Sequence, residues 1–206
     1  TLMFANGWDF KTTKSEIVTW LWGVQPTEED KAVQRLRQAQ RAKKLAEAEA
    51  KKLKQDELKS NVLIEKYSKI WSESFSLTDN EAEPARLYFK KRGIEQMAKL
   101  VGHVRYHTGL PYYEDKELVG YYPCLVSIVS EPSGKVKNLH QTFITKEGFK
   151  ADLKHAKKLA VRIPIRNETG GGIRLMDSSS SDTLAVGEGI ETALSWSVMF
   201  GGNVWA

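Results

Sequence analysis

The segment Leu184-Ala185-Val186-Gly187-Glu188-Gly189-Ile190-Glu191-Thr192-Ala193 carries one carboxylate from a short apolar run onto a glycine turn and straight into a helical pattern. Leu184 to Val186 is too apolar for a loop, and Ala193, Leu194, Trp196, Val198 and Met199 have the spacing of a mostly buried helix. Glu188 is therefore expected at the carboxyl end of a strand, where open α/β sheets bind their ligands. The glycines on both sides would let a phosphate or a metal ion approach the backbone. The pattern reads as a catalytic edge. A glutamate that merely complements a helix dipole in a metabolic α/β domain would present the same residues.

Other chemistries find less support. His103 and His107 are four apart, but Val104 to Tyr106 alternates as a strand, where residues four apart are separated by roughly 13 Å. His140 and His155 have no cysteine or carboxylate partners at a metal-ligand spacing. The single cysteine, Cys124, excludes an internal disulfide and a cysteine-rich zinc ribbon within these residues, and it fits a reducing cytoplasm. Gly170-Gly171-Gly172 lacks the Lys-Ser/Thr of a phosphate loop and reads as a turn ahead of a strand at Ile173-Arg174-Leu175. Gly187-Glu188-Gly189 lacks the third glycine of the dinucleotide fingerprint. No G-x-S-x-G elbow is present, and Ser178 to Ser181 reads as a flexible linker.

The elements that would position Glu188 follow from patterning. The 206 residues, 41% hydrophobic and 10% aromatic, suffice for one sizeable core or two small ones. Near the start, Thr13-Lys14-Ser15-Glu16 is a capping-box pattern and predicts a helix carrying Ile17, Val18, Trp20 and Leu21. Trp8, Trp20 and Trp22 would form either a packed helical cluster or a stacking surface for bases. After Pro26, Thr27-Glu28-Glu29-Asp30 opens one long helix with no Gly or Pro for several dozen residues. Between Lys31 and Lys59 its large apolar residues are only Val33, Leu36, Leu45, Leu53 and Leu58, too thin a stripe for a coiled coil. A solvated connecting helix is expected, with Val62, Leu63, Tyr67, Ile70 and Trp71 docking on a core. Arg35, Arg37, Arg41, Lys43 and Lys44 would line a solvated face or meet phosphates.

Ser72 to Asn80 marks a boundary. A helix from Pro84 to Arg92, stopped by Gly93, then offers Leu87, Tyr88 and Phe89 for packing and Lys90, Lys91 and Arg92 as a basic tip. From Val104 the pattern turns to strands, at Val104 to His107, Tyr122 to Ser130 and Lys135 to Thr145. Turns fall at Glu131-Pro132-Ser133-Gly134 and Lys146-Glu147-Gly148, so a small antiparallel sheet is expected. Lys and Arg number 31 against 26 acidic residues, a net charge of +5 that is compatible with nucleic acid without demanding it. No apolar run reaches the roughly 18–20 residues of a membrane helix, and no signal peptide is evident. The chain opens on Thr1 without a methionine, and Asn203-Val204-Trp205-Ala206 reads as the start of a further strand, so an internal piece of a longer protein is expected.

The motif LAVGEGIETALS, Leu184 to Ser195, is similar to the opening motif of Toprim domains, the nucleotidyl-transfer and hydrolysis fold of bacterial-type primases, topoisomerases and some nucleases. Upstream, PARLYFKKRGI (Pro84 to Ile94), VRYHTGLPYYE (Val104 to Glu114), YYPCLVSIVSEPSGKVKNLHQTFIT (Tyr121 to Thr145) and GGGIRL (Gly170 to Leu175) come in the order of Toprim primases and primase-helicases of phages, plasmids and integrated elements. FANGWDFKTTKSEIVTWLWG, Phe4 to Gly23, resembles the helix that follows their zinc ribbon. The resemblance covers most of the chain, and the long charged helix is its least diagnostic part.

The resemblance implies an α+β chain: a helical segment over 1–25, a long charged linker helix over 26–71, an α+β primase domain with a small antiparallel sheet over 80–176, and the first β-α unit of a Toprim sheet over 183–206. It implies template-directed RNA primer synthesis on single-stranded DNA at a Mg2+-dependent centre. There Glu188 would act as general acid/base or help to hold the metal. The family's later Asp-x-Asp pair has no match here, since Asp177 and Asp182 precede the motif, and zinc would belong only to a ribbon outside this sequence. One carboxylate cannot hold a phosphoryl-transfer metal centre, so the segment is expected to be inactive alone. Lys90, Lys91, Arg92, Arg105, Lys157, Lys158, Arg162 and Arg174 are candidates, from charge and position, for contact with nucleic-acid or nucleotide phosphates. The implied partners are single-stranded DNA, nucleotides and a replicative helicase domain or protein. A Toprim nuclease, or a non-catalytic DNA-binding or protein-docking module, remains as an alternative.

Overall fold

The structure, a computed structural model, describes residues 2–23, 27–98, 100–164, 170–176 and 182–206. Expectations that fall on Pro26, Asp177 and Ser178 to Ser181 lie outside the described residues. The chain is mixed α+β and divides into two compact units, Thr1–Lys54 and Gln55–Ala206.

The first unit is helical, with α1 (Leu2–Asn6), α2 (Phe10–Trp22) and the opening turns of α3 (Glu28–Ser72). The capping box expected at Thr13 is not used. Asp9 caps α2 instead, its carboxylate accepting from Thr12 N at 2.7 Å, and the Thr13 hydroxyl donates to Asp9 O. Asp9 sits one turn earlier and carries a charge that faces the helix dipole, so it is the stronger cap. Trp20 is exposed rather than packed in a helical cluster. At the start of α3, Thr27 N donates to Asp30 Oδ2 at 3.0 Å and Asp30 N donates to Thr27 Oγ1 at 3.2 Å, a reciprocal cap.

The second unit is built on an antiparallel sheet of five strands among the described residues, in the order β1 (Phe75–Ser76), β2 (Val104–Glu114), β3 (Glu117–Ser130), β4 (Val136–Phe143), β5 (Lys157–Leu159). Strands β2 and β3 are longer than the alternation predicts. Asp115 and Lys116 take φ of 48° and 75°, so the two strands join in a two-residue turn with both central residues left-handed. Pro111 is tolerated inside β2 because β1 pairs only with Arg105 and Tyr106, which leaves Pro111 on an open edge.

The sheet is covered on both faces. One face, with Cys124, Val126, Leu139 and Phe143, meets Tyr67, Leu63, Ile70 and Trp71 from the end of α3. Burying such a side chain is worth about 1.5–3 kcal/mol, against about 0.2–0.5 for a surface pair such as Glu28–Lys31, so docking decides where this end of α3 lies. Tyr67 also donates its hydroxyl to Val161 O, and burial pushes its pKa up to about 12. The other face, with Val104, Tyr106 and Leu125, meets Ala85, Tyr88 and Phe89 of α4 (Glu83–Lys90) and Ala98 of α5 (Glu95–Ala98).

A second sheet packs into that same core. Its order is β6 (Arg174–Met176), β8 (Asn203–Trp205), β7 (Leu184–Val186), with α6 (Ile190–Phe200) between β7 and β8 in sequence. Strands β7 and β8 are parallel and β6 is antiparallel to β8, so the end of the chain completes a β-α-β unit. Ile190, Ala193 and Leu194 of α6 face the core, but Val198, Met199 and Phe200 are exposed. The helix is thus amphipathic rather than mostly buried. Among the described residues no helix is long and apolar enough to cross a membrane.

The turn after β4 locks the sheet to α4. Gly148 has φ +75°, and a Cβ there would lie 2.6 Å from Leu87 Cβ and 2.7 Å from Tyr88 N. Gly148→Ala is expected to destabilise the protein by about 2 kcal/mol or more, read as a lowered urea midpoint, because left-handed strain and a backbone clash add.

Candidate functional site

Glu188 lies two residues beyond the end of β7 and one before Gly189, the N-cap of α6. The backbone of the turn is held by Gly187 N, which donates to Trp205 O at 2.9 Å, and by Ala193 N, which donates to Gly189 O at 3.0 Å. The two flanking glycines have different reasons. A Cβ on Gly187 would lie 3.2 Å from both Ala193 Cβ and Ala193 N, so this glycine lets the turn press on the first turn of α6. A Cβ on Gly189 would meet only Glu191 Oε2, at 3.9 Å, so the approach is open there. Gly189 caps α6 without a side chain, leaving the helix N-terminus without a side-chain cap. Glu188 is exposed and makes no hydrogen bond or ion pair with the described residues.

Glu191, three residues on, is the most heavily partnered carboxylate near this turn. Lys157 Nζ lies 2.7 Å from its Oε1 and 2.8 Å from its Oε2, Tyr88 donates its hydroxyl to Oε1, and Arg92 Nε lies 3.8 Å from Oε1. Burial pushes the Glu191 carboxyl up, but the hydrogen bonds from Lys157 and Tyr88 outweigh it and the net shift is downward. Burial, and then the Glu191 charge, raise the Tyr88 phenol well above its ordinary range, so it remains a donor. Arg92 also stacks on the Tyr88 ring, 3.6 Å from the centroid. Sequence reasoning singled out Lys157 and Arg92 but passed over Glu191 and assigned Tyr88 only to packing. The available signal was a second acid in the same motif, in the first turn of α6, where a helix favours negative charge.

His140 belongs to the same neighbourhood. It pairs with Leu159 and Thr142 pairs with Lys157, so His140 and Lys157 are diagonal neighbours on one face of β4 and β5. Its Nδ1 is buried without a hydrogen-bond partner among the described residues, as is Oγ of Ser127, which stands opposite His140 across β3 and β4. Burial holds the imidazole below its ordinary value and the Lys157 charge lowers it further, against an opposing pull from Glu191.

The remaining basic candidates are dispersed. Lys91 places Nζ 3.3 Å from the Phe149 ring centroid, and Lys90 lies 4.0 Å from Glu95 at the tip of α4. Arg105 donates to Trp71 O at 3.1 Å and Ser74 O at 3.4 Å, which caps the carbonyl end of α3. Lys158 lies on the α3 side of the sheet, over the Tyr112 ring, and burial lowers its pKa. Arg162 lines an apolar groove with Leu58, Val62 and Pro164, and Arg174 donates to Glu131 O and Pro132 O. Of the eight, Arg92 and Lys157 are brought together at Glu191.

The described residues contain no group of three or more His, Cys, Asp or Glu that could hold a metal ion. His103 lies in the turn before β2, and His107 reaches Glu73 at 4.0 Å. A Mg2+ ion would find one uncommitted carboxylate at this turn, Glu188, because Glu191 is engaged with Lys157 and Tyr88. These residues do not make up a magnesium site by themselves.

The chain belongs to the family described as Domain of unknown function (DUF7146), whose model matches residues 62–169, just over half of the chain. The match runs from the docked end of α3 past β5, so it includes Tyr88, Arg92, His140 and Lys157 and stops short of Glu188 and Glu191. No curated protein and no solved structure matches the chain.

The imidazole at His140 gives stability a pH dependence. Its folded pKa lies below the ordinary 6.5, so the unfolded chain takes up the proton first. The contribution is complete above 6.5 and is lost as pH falls through that value toward the folded pKa. His107, lowered by burial against a raising pull from Glu73, acts with the same sign. Unfolding free energy is expected to fall between about pH 7.5 and about pH 5.5, and less steeply in His140→Gln. Urea titrations at several pH values would check this, and an unchanged slope in the variant would assign the proton elsewhere.

Proposed function

We propose that the chain carries the part of a Toprim-type DNA primase that contains the motif glutamate, and that Glu188 belongs to a centre for metal-dependent nucleotidyl transfer. The observation that carries this reading is the position of Glu188, exposed and without a partner among the described residues, at the carboxyl end of a parallel strand and immediately before Gly189, an N-cap with no capping side chain. A carboxylate in that setting is free to take a proton from an attacking hydroxyl or to contribute one ligand to Mg2+. The peptide N–H groups in the first turn of α6, where the N-cap Gly189 brings no capping side chain, favour negative charge nearby. The resemblance of Leu184 to Ser195, and of the segments upstream, to Toprim primases supplies the substrate class: single-stranded DNA template and nucleoside triphosphates.

Further metal ligands would have to come from residues other than those described here, and no step is assigned to the ion. The chain's own contributions on this reading are Glu188 as acid/base or ligand, and Lys157 and Arg92, which meet at Glu191 three residues further along the motif, as candidate cations. Lys91, at the same helix tip as Arg92, is the next candidate for a phosphate contact. A replicative helicase domain or protein is the partner such a primase would serve.

Primer synthesis on single-stranded DNA with Mg2+ and nucleoside triphosphates, by the protein carrying these residues, tests the reading. Glu188→Gln is expected to lower primer yield by about 100-fold or more while leaving the fold intact, because Glu188 is exposed and has no partner among the described residues. Undiminished synthesis by that variant would remove Glu188 from the centre. Salt-dependent binding of single strands without metal, together with an indifferent Glu188, would instead favour a DNA-binding module.

A further inference from the structure

Two cations and a phenol converge on the Glu191 carboxylate. Lys157 Nζ contacts both oxygens at 2.7 and 2.8 Å, Arg92 Nε stands 3.8 Å from Oε1, and the Tyr88 hydroxyl donates to Oε1. These donors come from β5, from the turn after α4 and from α4 itself, while the acceptor alone comes from α6. A lysine ammonium at hydrogen-bond distance with a guanidinium at ion-pair distance beside it is also an arrangement that can receive a phosphate oxygen. The site is open to solvent, since the Lys157 and Arg92 side chains keep 39% and 30% of their exposure while Glu191 keeps 19%.

Two further polar atoms, His140 Nδ1 and Ser127 Oγ, are buried without a hydrogen-bond partner among the described residues on the sheet face that carries Lys157. The N-terminus of α6 has no side-chain cap. Charge points the same way. Glu191 neutralises one of two positive charges, whereas a phosphoryl group of about −1.5 to −2 would neutralise both.

We propose that Lys157, Arg92 and Tyr88 form an oxyanion site for a phosphoryl group, and that Glu191 is its resident occupant, a tethered carboxylate that the phosphoryl group displaces. Glu191 keeps 19% of its side-chain exposure, so the carboxylate borders solvent, where a displaced side chain would be hydrated. The inference takes its ligand class from the primase reading and its geometry from the side chains alone. Its consequence is gating: the two cations become available only when the incoming anion outcompetes an internal one, so weak or singly charged anions are excluded.

Calorimetric titration of the whole chain with inorganic pyrophosphate, without divalent metal, nucleotide or template, tests this. Glu191→Gln keeps the shape of the side chain and removes the competing charge, so it is expected to bind pyrophosphate at least about fivefold more tightly than the wild type. Lys157→Met should abolish binding in both backgrounds. Equal or weaker binding by Glu191→Gln would show that Glu191 positions Lys157 rather than blocking it, and absence of binding in every form would remove the site. A second measurement needs no substitution: the carboxyl carbon resonance of Glu191 in the wild-type chain must move on saturation with pyrophosphate, and an unmoved signal overturns the displacement. Failure here leaves Glu188 and primer synthesis untouched, just as an indifferent Glu188 would leave the titration result standing.

Discussion

The register of β2 against β3 shifts between His107 and Leu110, and the packing of the second unit follows from that irregularity. Before the shift Val104 and Tyr106 face the core shared with α4 and α6, and after it Leu110 and Tyr112 face the core shared with α3. All four are even-numbered, so a regular strand would have put them on one side. The irregularity lets one strand feed two cores, and a sheet with both faces apolar must be covered twice. The end of α3 covers one face. Helix α4 and the β-α-β unit cover the other, and the Gly148 turn presses against Leu87 and Tyr88 to seal the second core. The position of Glu188 is a consequence, because α6 is seated by the same residues that hide Tyr106 and Leu125.

Within that second core a polar contact is costly to leave unmade. A half-buried carboxylate loses hydration on folding, and it is tolerable only when donors replace the lost water. Glu191 obtains them from Lys157 and Tyr88, and the carboxyl stays ionised despite burial. The opposite case lies close by. His140 Nδ1 and Ser127 Oγ have no replacement for water, and the imidazole consequently resists protonation. One sheet face thus borders a satisfied ion pair and carries polar atoms with no hydrogen-bond partner among the described residues.

Periodicity and punctuation made the helices legible. The Thr27 cap, the proline at the start of α4 and the turn at Glu131 to Gly134 act locally, and they appear in the fold where the residues dictate. What failed had non-local causes. Asp115-Lys116 carries no glycine, so the turn that doubles the length of the β2–β3 hairpin went unmarked, and Pro111 is accommodated in β2 only because no outer neighbour pairs there. The apolar C-terminal half of α6 suggested burial, yet Val198, Met199 and Phe200 face outward, because apolar content states what a helix prefers and not what is there to meet it. Charge was the weakest guide. Arg105 and Arg174 look like Lys157 in sequence, but they satisfy backbone carbonyl oxygens at the end of α3 and at the Glu131–Pro132 turn.

Two carboxylates in one motif, three residues apart, end in different environments because a helix begins between them. Glu188 precedes the N-cap, in the bend after β7, and it is exposed with no partner among the described residues. Glu191 follows the cap, and the turn of α6 rotates it onto Lys157, Tyr88 and Arg92. A group that must exchange a proton or a metal ion during a reaction has to be uncommitted beforehand, whereas one that governs access to cations has to be committed to them. The helix start therefore separates a candidate for chemistry from a candidate for gating. Gly187, which lets the turn lie against Ala193, keeps that separation to a single turn of backbone.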